Sequence, residues 1–234
     1  VLVSASEEKK LGEQAYADIL KKGKVSANRD QVDMLRKVGR TLSKVADKPD
    51  FSWEFNLLDD DKQINAFCLP GGKVAFYTGI LPVTASETGA AVVMSHEIAH
   101  ALARHGAERM SQGLVAQTGG QLLGAVLGGG QATAASSKLY EQLYGLGAGL
   151  VVLSYSRAQE SEADHIGLIL MQKAGYDLDE AVSFWGRMHK ATEGKRSGGP
   201  LDKFLATHPA SAERQAQIKQ WIPEVRAKYA KPSP

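Results

Sequence analysis

His96-Glu97-Ile98-Ala99-His100 sets two imidazoles four residues apart with a carboxylate between them. On a helix, residues i and i+4 lie one above the other on the same face. Two histidines so placed grip a Zn²⁺ ion from one side and leave a position for water. Glu97, beside that water, can take its proton, which is the division of labour of a zinc hydrolase. A catalytic zinc needs a third protein ligand, and the stretch from Ser156 to Asp164 offers candidates. Glu160 and Asp164 share a helix face, whereas Glu162 points away from them. Glu160 is the expected third ligand, and Asp164 is expected to accept the outer N–H of a ligand histidine and fix its tautomer. Glu162 as ligand would leave Asp164 without that partner. A solvent-facing acidic helix is the commoner meaning of such a cluster. The five-residue motif together with the acidic i,i+4 pair is what points to a metal site and its supporting layer.

The elements that must position these residues follow from periodicity. Ser4 to Lys22 reads as an amphipathic helix with Leu11, Ala15 and Ile19 on one stripe and Gly23 as its stop. Asn28 to Ala46 reads as a second, with Val32, Leu35, Val38, Leu42 and Val45 at helical spacing. Trp53 to Leu58, Ile64 to Leu69 and Lys73 to Tyr77 read as strands, the last two joined by the turn Pro70-Gly71-Gly72. Together they predict a small antiparallel sheet. From Ser86 onward the pattern is helical, and Thr84 with Glu87 has capping-box spacing for the helix carrying His96 and His100. Gly113 to Leu153 is rich in glycine, alanine and glutamine, and Gly128-Gly129-Gly130 interrupts any helix there. This stretch joins the two metal-bearing helices, so it is expected to be a mobile connection or a lid. The helix from Ser211 to Tyr229 is expected to break near Pro223, and the tail 231–234 to be disordered.

Bulk composition narrows the function classes. With 28 basic and 26 acidic residues the net charge is +2, which gives no nucleic-acid surface and no polybasic anchor. Cys68 is the only cysteine, so neither an internal disulfide nor a cysteine metal site can form. The uncharged run Ser111 to Ser137 is too diluted by glutamine and glycine to span a membrane. A start at Val1 suggests that an upstream signal or anchor segment has been removed.

The residues from about Asn65 to Arg214 resemble the CAAX-prenyl-protease-like zinc metallopeptidases, peptidase family M-48, and within it the soluble or peripheral HtpX-, BepA-, LoiP- and Oma-like bacterial members. The resemblance rests on Asn65-Ala66-Phe67-Cys68-Leu69-Pro70-Gly71-Gly72, on His96 to His100, on Ser156-Arg157 through Glu160 to Asp164, and on Thr207-His208-Pro209. It implies one Zn²⁺ per chain on His96, His100 and Glu160, with Glu97 catalytic and Asp164 supporting. It also implies that His208 and Arg214 lie near the zinc. His208 then either stabilises the oxyanion formed at the attacked carbonyl or fills the fourth zinc position and blocks water. Arg214 is an oxyanion or substrate contact, or a surface charge on the last helix. Asn65, Ala66 and Phe67 are expected either to take an extended peptide by strand addition or to pack as core. His105, His165 and His189 are assigned to packing or surface, and none of Tyr140, Tyr144 and Tyr155 is singled out.

The expected fold is α+β, a mainly helical, gluzincin-like zincin with a small antiparallel sheet and an active-site helix. One metallopeptidase domain is expected over 1–230. It comprises N-terminal helices (4–46), the sheet (53–78), zinc-binding helices (86–175) and C-terminal helices (177–229). The expected function is zinc-dependent endopeptidase activity on unfolded or misassembled proteins in envelope quality control, in the bacterial periplasm or peripherally on a membrane. The alternative is a latent or non-hydrolytic zinc-stabilised chaperone or assembly module. The hydrophobic helices of the integral-membrane members are missing, which sets prenylated-peptide processing aside.

Overall fold

Helix α1 (Ala5–Lys22) starts where the Ser4 hydroxyl accepts the Glu7 N–H and Glu7 reaches back to the Ser4 N–H, and it stops at Gly23. In α2 (Arg29–Val45) the Asn28 side chain caps the first turn, and Leu35, Val38 and Leu42 form the buried stripe that the spacing predicts. These features come from a computed structural model, which describes residues 3–118, 154–192 and 199–230. Most of the glycine-rich connection and the tail 231–234 lie outside the described residues.

The sheet has three strands, β1 (Glu54–Leu58), β2 (Ala66–Leu69) and β3 (Lys73–Tyr77), in the order β1-β3-β2. It is mixed, not antiparallel: β2 pairs antiparallel with β3, but β1 runs parallel to β3. The reason is the central place of β3. Pro70 and Gly71 make the tight turn, with Gly71 and Gly72 both at positive φ (88° and 82°), where only glycine is comfortable. The Gly71 and Gly72 carbonyls then accept the N–H groups of Ser52 and Glu54, clipping the start of β1 beside the start of β3. Alternation along a strand shows which side chains face which way, but not which strand lies next to it.

Both faces of this sheet are covered, so its strands read as continuous apolar runs. Ala66, Cys68, Val74 and Phe76 face the main core with α2 and α4, while Phe67, Leu69, Ala75 and Tyr77 face α1 through Leu11, Ala15 and Tyr16.

Helix α4 (Glu87–Leu102) carries the motif and is buried from Gly89 to Ala101. Its cap is Ser86, whose hydroxyl accepts the Gly89 N–H at 2.9 Å. The spacing of Thr84 with Glu87 is not used: Thr84 ends the short helix α3 (Leu81–Thr84) and donates its hydroxyl to Leu81 O. Glu87 instead pairs with Lys37 of α2 at 2.9 Å. After α4 the chain turns at Arg104, a non-glycine residue at φ 59°, into α5 (His105–Thr118).

Helix α6 (Arg157–Ala174) starts at a capping box between Ser156 and Gln159, and Gln159 also donates to Glu108 of α5 at 2.7 Å. Gly167 is the point of close approach to α4. A Cβ there would lie 3.3 Å from both the His96 N and the Ser95 hydroxyl, so even a methyl group would require α4 to give by a few tenths of an ångström. Helices α7 (Asp179–Thr192), α8 (Pro200–Thr207) and α9 (Ala212–Lys228) complete the described chain. Helix α9 runs through Pro223 without the expected break. Pro223 sits on the exposed side, where a carbonyl that loses its partner meets water, while Ile218, Ile222 and Val225 keep the other side buried.

Candidate metal centre

His96 and His100 lie one turn apart on the buried α4, with ring centroids 4.6 Å apart. Across from them α6 presents Glu160 and Asp164, each 6% exposed, and the α8–α9 connection delivers His208, 4% exposed. Glu162 faces the other way with its side chain 59% exposed, as period 3.6 requires. The structure thus brings His96, Glu97, His100, Glu160, Asp164, His208 and Arg214 into one buried cluster.

The donor atoms have the spacing of a metal cage. His96 Nε2 is 3.1 Å from His100 Nε2, 3.2 Å from His208 Nδ1 and 3.4 Å from a Glu160 oxygen. That oxygen is Glu160 Oε2, and Glu160 Oε1 is 3.3 Å from both His100 Nε2 and His208 Nδ1. Bonds of about 2.0–2.1 Å to a tetrahedral Zn²⁺ set neighbouring donors about 3.3 Å apart, so these separations fit the ion directly. Without a proton or a metal ion between them, imidazole nitrogens would meet lone pair to lone pair at contact distance. His96, His100, Glu160 and His208 are the group among the described residues that can hold a metal.

Charge balance points the same way. Burial opposes a charge on His96, but Glu160 and Asp164 beside it lift its pKa to about 10. Burial pushes Glu160 up, and the His208 and His96 rings outweigh it and draw its pKa far down. Burial holds His100 well below its ordinary value, keeping a nitrogen lone pair for a metal. The pocket calls for positive charge, as a proton or as an ion.

A supporting layer surrounds the donors. Asp164 Oδ1 is 2.9 Å from His96 Nδ1, and Arg214 forks onto Asp164 with Nε and Nη2 donating at 2.7 Å each. The same guanidinium donates to Pro209 O at 2.9 Å, lies 3.2 Å from Glu160, and stacks 3.4 Å over the Trp185 ring. The guanidinium is thus held among Asp164, Glu160, Pro209 and Trp185. A guanidinium on the first turn of α9 meets α6 before it meets the centre. Glu97 lies on the far side, 3.4 Å from His208 Nε2. Burial pushes its pKa up against the pull of His208 and His96.

On β2, at the sheet edge, Ala66 and Phe67 are 2% and 3% exposed. Their side chains pack as core, and the Ala66 N–H is taken by Asn65 Oδ1 at 2.9 Å. Only backbone groups remain for a bound chain. Cys68 of the same strand feels the Glu97 charge, which adds to burial in raising its thiol; β2 therefore runs beside the motif.

Three neighbours escape the sequence patterns. His105, set aside as a packing or surface residue, is 2% exposed and its Nδ1 lies 2.8 Å from His100 Nδ1. The helix breaks at Arg104, so extrapolating α4 as a straight rod misplaces it. Tyr155 stacks on His100 with centroids 3.9 Å apart, and Trp185 packs edge-on to His96 at 6.0 Å. Neither residue's spacing carries a signal. His165 does face elsewhere, against Trp221.

Comparison with known proteins places the same residues in context. The model of Peptidase family M48 matches residues 29–222. Mitochondrial metalloendopeptidase OMA1 of Schizosaccharomyces pombe is 36% identical over 229 residues, covering 97% of this chain and 64% of that protein. Its Saccharomyces cerevisiae counterpart is 37% identical over 179 residues, 76% of this chain and 49% of that protein. The beta-barrel assembly-enhancing protease of Escherichia coli is 28% identical over 195 residues, 82% of this chain and 39% of that protein. The chain thus spans less than two thirds of the length of these relatives.

Proposed function

The chain belongs to peptidase family M48, and from that premise we propose that it is a zinc-dependent endopeptidase cleaving protein substrates. The observation that carries this reading is the convergence of donor atoms from His96, His100, Glu160 and His208 within 4.8 Å of one another, with the Glu97 carboxylate beside them. When bound, Zn²⁺ supplies Lewis acidity that polarises the scissile carbonyl and makes water acidic near neutral pH. Glu97 takes the proton of the attacking water on a carboxylate oxygen and passes it to the departing amine. Its buried position, which raises its pKa, makes it a better base than an exposed glutamate. Asp164, with Oδ1 2.9 Å from His96 Nδ1, is close enough to accept that nitrogen's proton and so aim Nε2 inward, and Arg214 holds Asp164. The β2 edge at Asn65, Ala66 and Phe67 takes an extended substrate by strand addition, with little sequence selectivity, the Asn65 side chain giving up the Ala66 N–H.

The test is peptide cleavage with an unfolded substrate such as casein, with and without chelator. Glu97→Gln is expected to keep one zinc per chain and lose about 10²–10⁴-fold in rate. A Glu97→Gln protein that cleaves as fast as wild type overturns the mechanism.

A second reading concerns the resting state. His208 completes a cage of four protein donors, and closed cages are typical of structural zinc whereas catalytic zinc keeps one position open. That geometry supports a latent enzyme in which His208 withdraws before substrate enters. His208→Ala is then expected to raise cleavage. If His208 instead stabilises the oxyanion, the same variant loses about 10²–10³-fold.

For location, the bacterial periplasm or a peripheral place on a membrane, with unfolded or misassembled proteins as substrates, fits best. The similarity to a mitochondrial metalloendopeptidase and to a beta-barrel assembly-enhancing protease supports a part in protein assembly and quality control. Among the described residues no helix is long and apolar enough to cross a membrane.

A further inference from the structure

We propose that His105 is a positioning residue for His100, the middle member of a hydrogen-bonded chain His100–His105–Glu162 that fixes the second metal-binding imidazole. The proposal rests on the zinc peptidase reading above. If His100 turns Nε2 to the donor cluster, where it lies 3.1 Å from His96 Nε2 and 3.3 Å from Glu160, its proton is on Nδ1. That proton points at His105 Nδ1, 2.8 Å away, which must then be the acceptor. A neutral His105 carries its own proton on Nε2, and this nitrogen faces Glu162 Oε2 at 3.3 Å. The three groups therefore have one consistent set of protons, the one that leaves the His100 lone pair free for a cation.

The backbone is bent to make this contact. Five residues beyond His100 a straight helix would carry His105 around to another face. Arg104 instead adopts φ 59°, a conformation that a non-glycine residue holds only when its surroundings fix it. Those surroundings are visible: Arg104 Nε donates to Glu8 at 2.8 Å and Nη2 to Val3 O at 2.7 Å, both from the N-terminal segment. Tyr155 closes the other side, its ring 3.9 Å from His100 and 5.8 Å from His105. His105 is 2% exposed, and burying an imidazole against another imidazole needs the hydrogen bond to offset its desolvation.

The measurement is zinc affinity of the full chain, by competition with a chromophoric chelator, with thermal unfolding of each metal-free protein alongside. His105→Leu is expected to bind zinc about 10–100-fold more weakly than wild type. His105→Asn, whose side-chain oxygen can accept from His100 Nδ1, is expected to recover most of that loss. Glu162→Ala removes an exposed side chain, so folding is not at stake, and it is expected to weaken zinc several-fold. Equal zinc affinity in His105→Leu and wild type overturns the proposal. So does His105→Asn binding as weakly as His105→Leu, because packing alone then explains the effect. If His105→Leu does not fold, unchanged affinity in Glu162→Ala overturns it. Wild type that binds no zinc rejects the underlying zinc reading itself, a separate outcome from a wild type that binds and variants that match it.

Discussion

His96 and His100 stand one turn apart on the same helix, yet they are supported from behind by opposite kinds of chemistry. His96 faces the carboxylate of Asp164, which is forked by Arg214, which lies on Trp185. That arm is charged, buried, and built from α4, α6, α7 and α9. His100 faces His105, an imidazole on the next helix, whose far nitrogen reaches an exposed Glu162. That arm pairs two imidazoles across the α4–α5 joint and ends on a solvent-exposed carboxylate of α6. A buried charged pair costs desolvation and holds only while both members are present. A neutral hydrogen-bonded pair loses far less when one member goes. The first arm therefore also ties the helical layer together, whereas the second orients one ring.

Asp164→Ala is the largest blow to this contrast. It strands the Arg214 guanidinium in a buried position with Glu160 as its remaining carboxylate. Breaking such a pair costs about 3–5 kcal/mol, and the surviving Glu160 contact places the loss near the lower end. Denaturant unfolding should record it, together with a fall in zinc affinity of about 10–100-fold. A change below about 1 kcal/mol, the scale of a surface pair, would remove the structural role of that arm. His105→Leu comes next, with its main effect on zinc affinity. Glu162→Ala is the smallest: its stability should change by less than about 1 kcal/mol, no more than even an exposed ion pair contributes. A Glu162→Ala protein as unstable as Asp164→Ala would erase the asymmetry between the two arms.

Much of the fold is legible because local chemistry specifies it. Ser4 with Gly23 and Asn28 with Ala46 bound α1 and α2 within a residue, since a cap is a local hydrogen bond and a stripe is a local period. The turn at Pro70-Gly71-Gly72 is equally local. Strand order is not, so the parallel pairing of β1 with β3 goes unseen. The true cap of α4 is also hidden, because Thr84 and Ser86 both precede Glu87 and only α3 decides which is free to cap.

The same divide runs through the candidate site. Sequence by itself determined which residues can face one another along a helix: His96 with His100, and Glu160 with Asp164 but not Glu162. That follows from the 3.6-residue turn alone. Only the tertiary structure decided that Arg214 donates to Asp164, that His208 meets His96 and Glu160, and that the turn at Arg104 brings His105 behind His100. Those contacts join residues on different elements or across a strained turn. Their geometry depends on how helices pack and bend, which no spacing in a linear chain encodes.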